Sequence, residues 1–214
     1  MNKKIKIILV DDHAVVRAGF RMLLGTRDGM EVIAEAERGE QAIQLLQECQ
    51  ADVVVMDLSM PGLGGLETIR RIQQRDSRIK ILVFSVHDEQ VYVNRAMAAG
   101  AKGYISKNSA AANLAEAIEQ IAQGGVYIEE GLIKEQKGQT DVMDYQKIID
   151  SFSAREFDVF RLLAKGMTVH KVAEELCLGY KTVANYGTQI RNKLKVSTLA
   201  ELAHIAVILG LTGK

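Results

Sequence analysis

Five consecutive residues, Val53-Val54-Val55-Met56-Asp57, give the strongest indication of the fold. Four apolar residues in a row, without polar alternation, are typical of a strand that is covered on both faces of a parallel sheet. The run ends abruptly in an acid. An earlier apolar run, Lys6–Val10, ends in the same way at Asp11 and Asp12. The two runs predict neighbouring buried strands whose carboxyl ends carry carboxylates.

Similar runs recur through the first 125 residues and alternate with helical patterns. Strands are predicted over Lys6–Val10, Glu31–Ala34, Val53–Met56, Ile79–Phe84 and Gly103–Ile105. Helices are predicted over Ala14–Leu24, Glu40–Glu48, Leu66–Gln74, Glu89–Ala99 and Ala110–Gln123. Repeated strand–helix alternation predicts an α/β doubly wound, five-stranded parallel sheet, with strand order 2-1-3-4-5.

The alternation stops after residue 125. Residues 126–150 are polar and acidic and are predicted to form a linker, helical in part near Met143–Ile149. Residues 151–214 contain no strand pattern and predict a small all-α domain of four helices. These helices are predicted over Ala154–Lys165, Val169–Leu176, Lys181–Leu194 and Thr198–Leu209.

Composition narrows the class of protein. Hydrophobic residues make up 48% of the chain, which is enough for packed cores and argues against disorder. No apolar run approaches the roughly 18 residues of a membrane span, and Cys49 and Cys177 stand far apart, without metal-ligand spacing. A cytoplasmic protein with reduced thiols and no membrane partner is expected. The chain is neutral, but residues 151–214 hold nine basic against five acidic residues, so a polyanion is expected to meet that part alone.

Polar side chains follow four of the predicted strands. In a doubly wound sheet the carboxyl ends of the strands form the site, which brings Asp11, Asp12 and Asp57 together at one edge. Three close carboxylates repel one another, and a hard divalent cation such as Mg²⁺ is their natural partner. Ser85 ends the fourth strand with a hydroxyl, and Lys107 follows the fifth with a cation. Together these groups match a site that transfers a phosphoryl group to an aspartate, although any one of them alone is more often a helix cap or a surface charge.

The same segments resemble the receiver domain of bacterial two-component response regulators, which has a flavodoxin-like fold. The resemblance covers residues 1–125 and is carried by Val10-Asp11-Asp12-His13, Met56-Asp57-Leu58-Ser59-Met60-Pro61-Gly62, Phe84-Ser85 and Gly103-Tyr104-Ile105-Ser106-Lys107. It implies that Asp57 accepts a phosphoryl group from a sensor histidine kinase. The implied protein is a phosphoacceptor regulator and not an enzyme, with at most self-catalysed aspartyl phosphorylation and dephosphorylation.

The resemblance also implies roles for the other site residues. Mg²⁺ would be held by Asp12, Asp57 and the Ser59 carbonyl, with Asp11 assisting through water. Lys107 would bind the phosphoryl group, and Ser85 and Tyr104 would form a switch pair. His13 and His87 flank the site and are given no catalytic role. One departure is Asn108, where many receivers have proline, and it concerns the turn after the lysine.

The C-terminal segment carries the pattern of a helix-turn-helix. Ser153 and Glu156 have the spacing of a capping box, and two short helices follow, joined by a turn at Cys177-Leu178-Gly179. On the second of them Val183, Ile190 and Leu194 share a buried face. The outward side chains suited to base edges are Ala184, Asn185, Thr188, Gln189 and Asn192. Those placed for phosphate contacts are Lys181, Thr182, Arg191 and Lys193.

This segment resembles the LuxR-type output domain of the NarL/FixJ subfamily. The match is carried by Phe152-Ser153-Ala154-Arg155-Glu156, Ala164-Lys165-Gly166, Val172-Ala173, Lys181-Thr182-Val183 and Arg191-Asn192-Lys193-Leu194-Lys195-Val196. Departures are Tyr186, where histidine is usual, Gly187 inside the helix, Thr188, where a lysine often contacts DNA, and Leu199, where arginine is usual. Fewer cations predict weaker non-specific affinity or an unusual sequence preference.

Together the two resemblances imply a phosphorylation-controlled transcription regulator that binds double-stranded promoter DNA and forms a homodimer on phosphorylation or DNA binding. The terminal helix offers Leu199, Leu202, Ala203, Ala206, Val207 and Leu209 for that dimer or for core packing. A rival hypothesis is an interaction protein whose degenerate helix-turn-helix binds DNA poorly, and the pattern alone also fits a plain four-helix module. A haloacid-type phosphatase, which also uses an aspartate nucleophile and Mg²⁺, is disfavoured because the D-x-D motif and a cap domain are missing.

Overall fold

The computed structural model describes residues 4–109, 111–133 and 140–211. The chain divides into two compact units, Met1–Ile133 and Lys134–Lys214. The strands are β1 Ile5–Val10, β2 Met30–Ala36, β3 Val53–Met56, β4 Lys80–Ser85, β5 Gly103–Ser106 and β6 Tyr127–Ile128. The helices of the first unit are α1 Ala14–Gly25, α2 Gly39–Glu48, α3 Gly65–Arg75, α4 Gln90–Ala98 and α5 Ala111–Ala122. Those of the second are α6 Thr140–Asp150, α7 Ala154–Ala164, α8 Val169–Glu175, α9 Tyr180–Leu194 and α10 Leu199–Ile208.

The first unit contains the predicted parallel sheet, in the order β2-β1-β3-β4-β5-β6. The predicted order 2-1-3-4-5 is confirmed, but the sheet has a sixth strand among the described residues. This strand is only two residues long and pairs in parallel with β5. A two-residue strand has too little sequence to show a periodicity, which explains why the pattern predicted five strands. It lies inside residues 126–150, the segment predicted as a linker, as does α6.

The central strands are buried on both faces, as their unbroken apolar runs predict. Alternate residues of β1 and β3, such as Ile7 and Val55, belong to the core that lies against α1 and α5. The residues between them point to the opposite face, because successive side chains of a strand alternate. The sheet therefore lies buried between helical layers, and the positions of its strand ends are determined by the packing of the core.

The second unit is all helical, as predicted, and is built around α7. Phe157 and Phe160 of α7 are fully buried, and α8, α9 and α10 each pack against this helix. The predicted capping box is present: the Glu156 N–H donates to Ser153 Oγ at 3.2 Å and the Ser153 N–H donates to the Glu156 carboxylate at 2.9 Å. A second capping box opens α10 at Thr198 and Glu201. Within the described residues, none of the helices is long and apolar enough to cross a membrane.

Candidate phosphoacceptor site and DNA-binding face

The carboxyl ends of β1 and β3 place two aspartates side by side. Val10 and Met56 are paired in the sheet, and the Asp57 N–H donates to the Val10 carbonyl at 2.8 Å. Asp11 and Asp57 are 5% and 2% exposed. Helix α3 can begin close behind them only because Gly65 has no side chain: a Cβ there would lie 2.2 Å from the Asp57 carbonyl oxygen. The fold thus presents two carboxylates that are almost removed from solvent.

Lys107 bridges these two carboxylates. Its Nζ donates to Asp11 Oδ2 at 2.6 Å and to Asp57 Oδ2 at 2.9 Å, and its backbone N–H donates to the Ser85 carbonyl at 2.7 Å. Burial alone would lower the pKa of Lys107, but the charges of Asp57 and Asp11 and their hydrogen bonds outweigh burial, so the pKa is raised. The ammonium therefore stays charged beside the two acids.

For Asp57, in contrast to Lys107, burial is the influence that prevails. It raises the pKa of Asp57 above the usual value of 3.8, and the charge and hydrogen bond of Lys107 offset only part of that effect. Asp57 Oδ1 is buried and has no hydrogen-bond partner among the described residues. A buried carboxylate oxygen without a partner is costly, unless a cation or a donor completes the site.

The donor set fits a hard metal ion. Oxygen atoms of Asp11, Asp12 and Asp57, together with a nitrogen of His13, lie within 4.8 Å of one another. Mg²⁺ prefers carboxylate oxygens and keeps several waters, and Asp12 is exposed and leaves room for them. Asp57, whose Oδ1 has no partner among the described residues, belongs to this set, so the residues present fit Mg²⁺.

The histidine beside this cluster was not expected to take part. His13 Nδ1 lies 3.0 Å from Asp11 Oδ1 and 2.8 Å from Asp12 Oδ1, and the His13 N–H donates to Asp11 Oδ1 at 2.8 Å. His13 thus organises the two acids. The signal in the sequence was its position directly after them.

Ser85 and Tyr104 are both fully buried, and His87 connects them. The Tyr104 hydroxyl donates to the His87 carbonyl at 2.7 Å, and the His87 N–H donates to Ser85 Oγ at 3.2 Å. Burial raises the pKa of Tyr104 well above its usual value, so the phenol is a neutral donor. The His87 ring stacks on Tyr92 at 4.1 Å and its Nε2 lies 2.9 Å from the Ser59 hydroxyl. No pattern in the sequence indicated that His87 would link these loops.

Arg17 is a second residue that sequence reasoning missed. It is 8% exposed, and it donates to the Asp11 carbonyl at 2.6 Å, to Glu35 at 3.2 Å and to Glu37 at 2.9 Å. The guanidinium therefore ties the end of β1 to the end of β2. The available signal was a cation on the apolar face of α1, three residues before Phe20.

In the second unit, α9 presents a polar outer face. Val183, Ile190 and Leu194 are buried, as predicted, and Ala184 and Arg191 are half-buried. The exposed residues among those predicted for DNA contact are Lys181, Thr182, Asn185, Thr188, Gln189, Asn192 and Lys193.

Gly187, which departs from the LuxR-type pattern, faces the domain core. A Cβ at this position would lie 3.3 Å from Leu163 Cδ1, so glycine allows α9 to approach α7 closely. The glycine thus avoids a tight contact with Leu163 where α9 packs on α7. It leaves the outer face of α9 unchanged.

One of the cations predicted for DNA contact has a partner inside the domain. Lys193 Nζ donates to Glu156 Oε1 at 2.7 Å and lies 5.3 Å from the centre of the Phe152 ring. Burial would raise the pKa of Glu156, but the hydrogen bonds and charge of Lys193 and the Ser153 N–H outweigh it and lower the pKa below 4.5. Lys193 therefore fastens α9 to the start of α7, and its ammonium is engaged inside the domain.

A parallel α/β domain with an acid–lysine site at its strand ends, followed by a helix-turn-helix domain, defines a response regulator with a DNA-binding output domain. The chain belongs to this family. Residues 7–119 match the family described as "Response regulator receiver domain", and residues 150–206 match "Bacterial regulatory proteins, luxR family".

Relatives match the chain over almost its whole length. The transcriptional activator protein ExaE of Pseudomonas putida is 40% identical over 207 residues, which cover 96% of this chain and 97% of ExaE. The response regulator UvrY of Escherichia coli K12 is 36% identical over 208 residues, 97% of this chain and 95% of UvrY. The chain is thus a two-component response regulator that regulates transcription.

Solved structures agree with this fold. A LuxR-family response regulator from Aurantimonas is 42% identical, with a TM-score of 0.59, and covers 61% of this chain and 93% of that chain. RcsB of Salmonella typhimurium is similar in fold over 97% of this chain and 99% of its own, with a TM-score of 0.70 and 24% identity.

Proposed function

We propose that Asp57 is the phosphoacceptor of this regulator and that a sensor histidine kinase is the donor. The observation that carries the proposal is the buried Asp57 carboxylate, with Oδ2 bound to Lys107 and Oδ1 without a partner. A carboxylate oxygen of Asp57 would form the bond to phosphorus while the bond from phosphorus to the donor's imidazole nitrogen breaks. The electron pair of that bond stays on the imidazole.

The residues around Asp57 would each contribute to this transfer. Asp11, Asp12, Asp57 and the Ser59 carbonyl would hold Mg²⁺, which when bound supplies positive charge to the phosphoryl oxygens. The Lys107 ammonium would move from the carboxylates to a phosphoryl oxygen. This shift needs little motion, because Lys107 Nζ already lies within hydrogen-bond distance of Asp57 Oδ2. Arg17 and His13 would hold the Asp11–Asp12 backbone in place.

The test is the intact mass of the protein after incubation with acetyl phosphate. The wild type is expected to gain one phosphoryl group only when Mg²⁺ is present, and Asp57→Asn is expected to gain none. A phosphoryl mass on Asp57→Asn in the presence of Mg²⁺ contradicts the assignment.

Signalling would proceed through Ser85 and Tyr104. Ser85 Oγ accepts the His87 N–H, and a phosphoryl oxygen would give the Ser85 hydroxyl a charged acceptor, so Oγ would move toward it and weaken the bond from the His87 N–H. The carbonyl of the same residue accepts the Tyr104 hydroxyl, so a shift of the His87 backbone would carry that acceptor with it and let Tyr104 move inward. Ser85→Ala is expected to be phosphorylated but to show a weaker DNA-binding response, and an undiminished response contradicts this mechanism.

We also propose that the outer face of α9 enters the major groove of promoter DNA in the cytoplasm and that two copies bind together. The phosphates would be contacted by Lys181, Thr182 and Arg191, and the base edges by Ala184, Asn185, Thr188, Gln189 and Asn192.

A dimer is favoured because Lys181 and Arg191 are the only cations in this set, so that one copy would bind DNA weakly. The surface for it is smaller than the sequence indicated, since Leu202 and Ala206 are buried in the domain core. Leu199 and Val207 are 49% and 61% exposed and remain available.

A mobility-shift titration on genomic fragments, with and without acetyl phosphate, separates this function from that of a regulator that acts only through protein contacts. Saturation at two protein chains per site supports the dimer. A complex of one chain per site, or no shift on any fragment, contradicts it.

A further inference from the structure

The turn that carries Lys107, residues Ser106–Ser109, is held by its own backbone. The Ser109 N–H donates to the Ser106 carbonyl at 3.1 Å, and the Asn108 N–H donates to Ser106 Oγ at 3.2 Å. Proline, which many receivers have at position 108, carries no N–H and could not make the second bond. The departure at Asn108 therefore gives this chain a turn with a hydrogen bond that the common sequence lacks.

Glu129 closes this turn from outside. Pairing between β5 and β6 ends at Tyr104 and Ile128, and the Glu129 N–H donates to the Tyr104 carbonyl at 3.1 Å. Beyond that point the side chain continues the contact. Its Oε2 accepts the Ser106 N–H at 2.8 Å, and its Oε1 accepts a hydrogen bond from the Ser109 hydroxyl. One carboxylate thus holds both ends of the turn.

We propose that Glu129 is a positioning residue that sets the place of Lys107 and joins the Lys107 turn to the segment leaving the receiver domain. The inference rests on the proposed function of Asp57 and Lys107. Hydrogen bonds to a charged acceptor are the stronger ones, so two of them on one carboxylate fix the turn firmly. The side chain of Lys107 is long and flexible, and its reach to Asp11 and Asp57 depends on where its backbone is held.

The chain path gives this contact a second consequence. Glu129 directly follows β6, and the first compact unit ends four residues later, at Ile133. When the Lys107 ammonium moves from the carboxylates to the phosphoryl group, it displaces the turn that carries it. Glu129 passes this displacement to the residues that lead to the DNA-binding domain. The turn and the segment Tyr127–Ile133 move as one unit.

The experiment uses the full-length chain with Glu129→Ala, Glu129→Gln and, as the matched control, Glu130→Ala, whose side chain is exposed. The initial rate of phosphorylation is measured over a range of acetyl phosphate concentrations with Mg²⁺. Glu129→Ala is expected to slow it by about tenfold, as loss of an outer-shell hydrogen bond does at metal sites. Glu129→Gln keeps a neutral acceptor for the Ser106 N–H and is expected to restore part of the rate, and Glu130→Ala is expected to match the wild type.

Amide hydrogen exchange of the unphosphorylated proteins tests directly whether Glu129 couples the Lys107 turn to the segment Tyr127–Ile133. Glu129→Ala is expected to speed exchange both at residues 106–109 and at residues 127–133, with the remaining sheet unchanged. Ser109→Ala, which removes one bond and no charge, is expected to give a smaller effect in the same places, and serves if Glu129→Ala does not fold. The inference is overturned if Glu129→Ala is phosphorylated at the wild-type rate, or if its amide exchange is faster in only one of the two segments. A wild type that is not phosphorylated at Asp57 refutes the proposed function instead and leaves the exchange result to be read by itself.

Discussion

The acidic site and the outer face of α9 place their functional groups in opposite environments. Asp57 and Ser85 are 2% and 0% exposed, whereas Lys181, Asn185 and Gln189 lie open to solvent. A group that takes part in phosphoryl transfer gains from exclusion of water, because electrostatic interactions strengthen there. Side chains that contact a large polyanion must stay accessible to it. The receiver fold therefore shapes its site atom by atom, while the helix-turn-helix fold mainly supplies a rigid helix.

The two domains also treat a buried acid differently. Burial is the largest single influence on both Asp57 and Glu156, yet the pKa of Asp57 is raised and the pKa of Glu156 is lowered. Glu156 has a lysine and a backbone N–H as partners, whereas one oxygen of Asp57 has none. Because Asp57 also has a lysine partner in Lys107, the difference lies in its deeper burial, which the partners of Asp57 offset only in part and those of Glu156 outweigh.

The largest expected effect breaks the buried site at its cation. Lys107→Gln is expected to slow phosphorylation by acetyl phosphate by about 100-fold or more, the usual result of removing one charge-stabilising donor. Lys102→Gln, in the turn before β5, is the control and is expected to match the wild type. Initial rates from intact-mass measurements decide between them, and equal rates for the two variants would remove Lys107 from the proposed site.

A second substitution tests how closely the receiver is packed behind Asp57. Gly65→Ala would place a Cβ 2.2 Å from the Asp57 carbonyl oxygen and 2.6 Å from Leu58 Cα. Because both contacts are backbone, the variant is expected to lose about 1–3 kcal/mol of unfolding free energy. Gly19→Ala in α1 meets no atom within 4 Å and is expected to gain up to about 1 kcal/mol from helix propensity. Urea unfolding of both variants measures the contrast, which fails if the two shift in the same direction.

On the outer face of α9, a change at the exposed Lys181 should act more weakly than those in the receiver domain and should not destabilise the fold. Lys181→Ala is expected to weaken binding to all DNA sequences alike and to reduce the slope of log affinity against log salt by about one. Lys193→Ala is the informative control, since its ammonium is bound to Glu156. It is expected to lower the melting temperature of the C-terminal domain with little change in that slope. The opposite pattern would show that Lys193 contacts DNA and Lys181 does not.

The smallest expected effect is that the stability contributed by Asp57 and by Glu156 changes with pH in opposite directions. Calorimetry in Mg²⁺-free buffer measures it. The raised pKa of Asp57 contributes stability below pH 3.8 that is lost as pH rises through the folded-state pKa. Asp57→Asn does not undergo this loss, so its stability relative to the wild type should increase over that pH window. The lowered pKa of Glu156 contributes stability above pH 4.5 that is lost as pH falls through its folded-state pKa. Glu156→Gln should therefore lack this acid-induced loss in the C-terminal domain. Parallel pH dependences for the two variants would contradict the contrast.

Local signals in the sequence were enough for the sheet order, the helix-turn-helix and most of the acidic site. An unbroken apolar run followed by an acid predicts a buried strand and the residue at its end, and Asp11, Asp57, Ser85 and Lys107 each follow from such a run. The capping box at Ser153 is likewise contained within four residues. These features depend on neighbours in the chain, so the chain alone shows them.

Only the tertiary structure determined which distant groups meet. His87 reaches Ser59 across 28 residues, Glu129 reaches Ser106 across 23, and Lys193 reaches Glu156 across 37. The same holds for the close packing of Gly187 against Leu163. Such contacts leave no periodicity in the sequence, because they arise where separate elements are brought together by the burial of their apolar faces.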